Sequence, residues 1–148
     1  MKGNRYAGFS ALDPFFQVIQ EGLKGLVDGE HYFDFLTDNV TFDFMYRFPG
    51  YPSHVEGRDD LIALYRGYGD TLTLERMSGL VVHRTVDPSV VILEYSSHGH
   101  GTKTGLPYNN HYISVVTIEN RKIIGWRDYL DPLTVLTTLG VPAPIIPD

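Results

Sequence analysis

Apolar residues along this chain follow two periods in turn. Phe15, Val18, Ile19, Leu23 and Leu26 recur at helical spacing behind Asp13-Pro14, where Asp can cap and Pro is pre-set for a first turn. The spacing predicts a first helix ending around Gly25. Asp28-Gly29 reads as the start of a short second helix carrying Tyr32, Phe33, Phe35 and Leu36. Residues 40–46 alternate as a strand, with Phe42 and Phe44 on one face and Thr41 and Asp43 on the other. Pro49, Gly50 and Pro52 make 48–53 a loop. A third helix begins at about Asp59, with Leu61, Leu64, Tyr65 and Tyr68 on one face.

After Gly69-Asp70 the pattern changes to long alternating runs, expected as strands over 72–85, 90–102, 108–118 and 122–130. Asp87-Pro88, a turn near Gly105, and Asn120-Arg121 separate them, and short turns between long runs mean antiparallel hairpins. Asp131-Pro132 opens a last short helix that Gly140 stops, and Pro142, Pro144 and Pro147 stiffen the residues beyond it. The expected order is α-α-β-α-β-β-β-β-α in one α+β domain over 1–148, with helices segregated from a meandering antiparallel sheet.

Composition narrows the function. Aromatics are 13% of 148 residues, including ten Tyr and eight Phe, which suits a thick core or a ring-lined cavity. A formal charge of −6 argues against nucleic acid, and no basic run or basic amphipathic helix points to a membrane surface. The absence of Cys excludes disulfides, thiolate catalysis and Cys-held metals. With no signal-peptide pattern at Met1 and no stretch of transmembrane length, a cytoplasmic protein is the expectation.

The most informative stretch runs from Ile123 to Asp131. Asp128 stands beside Trp126 in a mostly apolar strand. A buried carboxylate is either well partnered or held where a raised pKa is useful. One reading makes Asp128 a general acid or base; the other pairs it with Arg127, Arg84 or another cation, or uses it to cap the next helix. A two-residue turn at Asn120-Arg121 would set Ile113 across from Asp128. A three-residue loop would set Tyr112 across, with Asn110 and Ser114 on the same face. Tyr108, Asn110 and Tyr112 are the expected polar donors under the second register. His98, His100 and His111 could approach zinc geometry, but that register turns His111 away, so they read as surface or interface histidines. Gly99, Gly101 and Gly105 form no phosphate loop, since no helix follows them; a twisted strand end fits better.

The order of elements resembles the cone of the nuclear transport factor two-like superfamily. Its SnoaL-like branch includes polyketide cyclases, ketosteroid isomerases, limonene epoxide hydrolase and the phenazine-biosynthesis A/B proteins. Gly57-Arg58-Asp59 is similar to that superfamily's entry to its third helix, and 122–131 to the last strand of limonene epoxide hydrolase. Gly99-His100-Gly101-Lys103 and Tyr108-Asn109-Asn110-His111-Tyr112 resemble the phenazine proteins. The resemblance implies a curved sheet around the first helix and a catalytic carboxylate at Asp128. It also implies a homodimer, with Ile113 and Val115 covered by the partner.

The chain departs from these relatives elsewhere. Tyr95-Ser96-Ser97 stands where the epoxide hydrolase has Arg-x-Asp, Phe42 and Phe44 where it has Tyr and Asn, and Leu64 where the phenazine proteins have His. The expectation is therefore cofactor-free and metal-free proton transfer, an isomerisation or cyclisation, on a small apolar or aromatic molecule. Asp128 would be the acid/base, and Trp126, Tyr112, Asn110, Tyr108, Phe42, Phe44, Tyr95 and Tyr65 would contact the ligand. The rival is a non-catalytic ligand-binding or dimerisation module of the same fold.

Overall fold

The structure is a computed structural model describing residues 6–141; the proline-bearing segment from Pro142 lies outside them. Helix α1 (Asp13–Gly22) buries Phe16, Val18 and Ile19. Asp13 is its first residue rather than its cap, because Leu12 holds that position with no side-chain bond. The expected second helix is one 3-10 turn, Tyr32–Phe35, closed by a reciprocal cap between His31 and Asp34. It stops there because the chain enters strand β1 (Leu36–Phe44) at once, earlier than alternation alone suggests. Strand β2 (His54–Glu56) comes after the loop, with three residues too few to leave a sequence pattern.

Helix α2 (Arg58–Arg66) explains the Gly57-Arg58-Asp59 motif. Gly57 caps it at φ 96°, a conformation that favours glycine, and its N–H donates to Val40 O at 2.7 Å. The Arg58 guanidinium donates to Leu36 O at 3.2 Å and pairs with Asp38, pinning α2 to β1.

The long strands are β3 (Leu72–Arg84), β4 (Val90–Gly101), β5 (Pro107–Glu119) and β6 (Lys122–Leu130). Asp131 caps helix α3 (Pro132–Leu139) by accepting from Leu133 N at 3.0 Å, and Gly140 ends it at φ 73°. The sheet runs β2-β1-β6-β5-β4-β3, curved and unclosed, with α1 packed on β3 and β4. It is mixed, not wholly antiparallel: β1 pairs with β6 in parallel. No tight turn joins those two strands, so nothing local fixes their direction.

Two irregularities set the interior. An added Cβ at Gly99 would lie 2.1 Å from Thr73 O, so only glycine fits where β3 bulges against β4. At the other hairpin, Asn120 and Arg121 form a two-residue turn with φ 53° and 62°. Arg121 is tethered there by its Nε donating to Asp28 at 2.8 Å and its Nη1 to Gly25 O at 2.9 Å. The pairing begins as Glu119 with Lys122, then shifts by one, because Ile118 pairs with Ile123 but Thr117 with Gly125. Ile124 is the extra residue. That bulge turns every later β6 side chain to the opposite face. Trp126 and Asp128 therefore point inward, opposite Val116 and Ser114.

Candidate active site

Asp128 is buried, 8% exposed, on the concave side of β6. Ser114 faces it from β5 and Phe44 from β1. Three neutral donors hold the carboxylate. Trp126 Nε1 and Ser114 Oγ donate to Oδ1 at 3.1 and 2.9 Å, and Tyr46 OH to Oδ2 at 3.2 Å. Ser114 in turn accepts from Tyr95 OH at 2.6 Å. Among the described residues no ion pair reaches Asp128; Arg127, next in sequence, lies on the exposed face. Burial pushes the Asp128 pKa up to about 6, and the bonds from Trp126, Ser114 and Tyr46 only partly oppose it.

The carboxyl lines an inner chamber of about 50 Å³ with Phe15, Phe44, Tyr51, Tyr65, Tyr95 and Tyr112. Tyr46, Tyr51, Tyr68 and Leu130 also line a wider vestibule of about 430 Å³ between the 48–51 loop, α2 and α3. No Lys, Arg or His lines either space among the described residues. Burial raises the phenols of Tyr46, Tyr51, Tyr65, Tyr68 and Tyr95 above their ordinary pKa, so they stay neutral beside the carboxylate.

The residues expected at the site divide into two groups. Phe44, Tyr65, Tyr95 and Tyr112 share the chamber wall with Asp128. Trp126 bonds the carboxyl but otherwise sits in the core, stacked on Phe42 at 5.4 Å and 11° and edge-on to Tyr32 at 5.8 Å. Phe42 is fully buried behind that stack and lines neither space.

Asn110 differs from expectation. Its side chain donates to Tyr108 OH at 3.0 Å and to Asp131 O at 3.1 Å, and accepts from Asp131 N at 3.1 Å. It ties β5 to the start of α3 and lines neither chamber. Tyr108 lines the vestibule, not the inner chamber, and its hydroxyl bonds Tyr112 OH at 2.8 Å. Neither expected register is observed. The face expected for Tyr112 is right, but Ser114 stands across from Asp128, because the shift comes from the Ile124 bulge and not from a longer loop.

Tyr46 and Ser114 are the donors that sequence reasoning did not assign to the acid. Tyr46 continues the inward alternation of Phe42 and Phe44, which was the available signal. The histidines face outward: His98 bonds Ser78 and Asn109, His100 bonds Glu75, and His111 bonds Ser96. No group of three potential metal ligands occurs among the described residues, and no helix there is long and apolar enough to cross a membrane.

Known proteins are similar to this chain. The uncharacterized Bacillus subtilis protein YesE is 34% identical over 103 residues, 70% of each chain. An uncharacterized PhzA/B-like protein of Pseudomonas aeruginosa is 30% identical over 126 residues, 84% of this chain and 89% of its own. A solved Bacillus subtilis structure, provisionally named an isomerase, matches with TM-score 0.72 at 29% identity over 90% of this chain and 92% of that one. Other solved structures include proteins provisionally named polyketide cyclases and a hypothetical protein with a ketosteroid-isomerase-like fold from Catenulispora acidiphila in complex with trimethylamine. At 16–19% identity these show the fold alone. The profile of the SnoaL-like domain matches residues 23–126, and with these relatives it establishes that the chain belongs to the SnoaL-like family.

Proposed function

We propose that this protein is a small-molecule enzyme of the SnoaL and ketosteroid-isomerase type, moving a proton on an apolar, enolisable substrate with Asp128 as general acid/base. The observation that carries this reading is a buried carboxyl on a ring-lined chamber, with no cation beside it among the described residues and a pKa near 6. Such a group is divided between its two forms near neutral pH, where it can both take and return a proton. Oδ1 already accepts two bonds and Oδ2 only one, so Oδ2 is the oxygen with capacity for a substrate proton. The chain Tyr95–Ser114–Asp128 keeps Oδ1 oriented while Oδ2 reacts. A small ketone would enter through the vestibule, its apolar body against Leu64, Leu72 and Leu136.

The test is deuterium uptake from heavy water at the α-carbon of small cyclic ketones, followed by proton NMR. Asp128→Asn should lower exchange by about two to four orders of magnitude; equal exchange by both proteins would refute the role.

A second reading, a binding module, draws on one observation: among the described residues no second carboxylate or imidazole lines the chamber. It predicts ligand affinity with no exchange. We also infer a homodimer through the outer sheet face, where Val81, Ile113 and Tyr129 border an open hollow and Ile113 is 42% exposed.

A further inference from the structure

The inner chamber has a property that proton transfer on a neutral molecule does not require. Its wall is mostly aromatic rings, with Leu12, Leu74, Met77 and Leu130 between them and one carboxylate, and without any basic side chain among the described residues. Such a wall rejects anions. A neutral guest would leave the ionised carboxylate facing it without a counter-charge, whereas a cation would meet both the carboxylate and the negative faces of aromatic rings. Oδ2 of Asp128 accepts from Tyr46 alone, so it keeps room for one further donor. At about 50 Å³ the chamber falls well short of the about 150 Å³ that takes benzene. It suits a compact head, with the rest of a ligand lying in the vestibule of about 430 Å³.

We propose that the junction of the inner chamber and the vestibule binds a protonated tertiary alkylamine, its single N–H donated to Asp128 Oδ2 and its alkyl groups packed against Tyr51, Tyr68 and Leu130, which line both spaces. This goes beyond the proton-transfer reading, with which it shares Asp128. An amine there keeps the carboxylate ionised and blocks the position a ketone would take. The titratable groups around Asp128 are phenols, Tyr32 from the 3-10 turn, Tyr46 and Tyr51 from the 45–53 loop, Tyr65 from α2, Tyr68 just beyond it, Tyr95 from β4, and Tyr108 and Tyr112 from β5, all raised above their ordinary pKa. Asp128 is then the group there that titrates between pH 5 and 8, with its value near 6. Amine binding should strengthen as pH rises through that value.

The single tryptophan gives the readout, since the Trp126 indole bonds the same carboxyl. Trimethylammonium chloride and tert-butanol, which presents one O–H and three methyls without charge, are titrated against Trp126 fluorescence. At pH 8 trimethylammonium should bind at least about tenfold more tightly than tert-butanol, and about tenfold more weakly at pH 5 than at pH 8. Asp128→Asn should keep the affinity for tert-butanol and lose the preference for the cation. Equal affinity for the two compounds, or an unchanged preference in Asp128→Asn, overturns the proposal. The deuterium-exchange assay separates the two readings. Asp128-dependent exchange without amine preference removes this inference alone, and amine binding without exchange removes the proton-transfer reading alone.

Discussion

Replacing Asp128 by Asn should make the protein more stable at neutral and alkaline pH. An isolated aspartate has a pKa of about 3.9, and burial raises this one to about 6. Proton uptake sets the sign. Between those values the folded state binds more protons than the unfolded chain, so stability falls as pH rises from about 4 to about 6. Above pH 6 the fold carries the full cost of the buried charge, about 3 kcal/mol at about 1.4 kcal/mol per pKa unit.

Asparagine keeps the shape and most of the bonding. Its carbonyl can accept from Trp126 and Ser114 as Oδ1 does now, and its amide can donate to Tyr46 OH, which sits 3.2 Å from Oδ2. Bonds to a neutral acceptor are weaker than bonds to a charged one, so a net gain of about 1–2 kcal/mol remains. For a chain of this size that is about 3–7 °C in Tm. Thermal and urea unfolding of both proteins at pH 8 and pH 5 measure it. The variant should melt higher at pH 8, and the difference should shrink or vanish at pH 5. A variant less stable at pH 8, or a difference independent of pH, would refute the reasoning that an uncompensated charge is buried here.

Three further outcomes test other parts of the structure. Ser114→Ala removes one donor to the carboxylate and should move the Asp128 titration above about 6, read by NMR and by the pH profile of exchange. Gly99→Ala places a Cβ 2.1 Å from Thr73 O and should cost on the order of 3 kcal/mol in urea unfolding, since backbone must shift; a loss under about 1 kcal/mol would show that the bulge is pliable. The wild type should sediment as a dimer and Ile113→Lys as a monomer; a monomeric wild type at micromolar concentration would remove the outer face of β5 as an interface.

The long strands were legible because alternation and turn residues are local signals. The ends of β3, β4, β5 and β6 fall within one residue of where the pattern puts them. The inward face of Asp128 was expected with the Tyr112 face, yet for another reason: a bulge at Ile124, which leaves no mark in an apolar run. The β1–β6 pairing was hidden because no turn connects those strands. Tyr46 was hidden as a donor because it reaches Asp128 across that same unseen pairing. Asn110 looked like a pocket donor from its face alone. Its amide is used by Tyr108 and the Asp131 backbone, an arrangement that exists only once α3 has docked on β5. The chamber likewise depends on α1, α2 and the 45–53 loop closing over the sheet, which no single segment encodes.

The central claim is that a buried, cation-free carboxyl at Asp128 exchanges its proton near neutral pH. Carbon-13 NMR titration of aspartate-labelled protein, with Asp128→Asn to assign the Asp128 signal, tests it most directly. The predicted midpoint is about 6, falling when an ammonium ligand is present. A midpoint at or below about 4, the value of an ordinary aspartate, would contradict it.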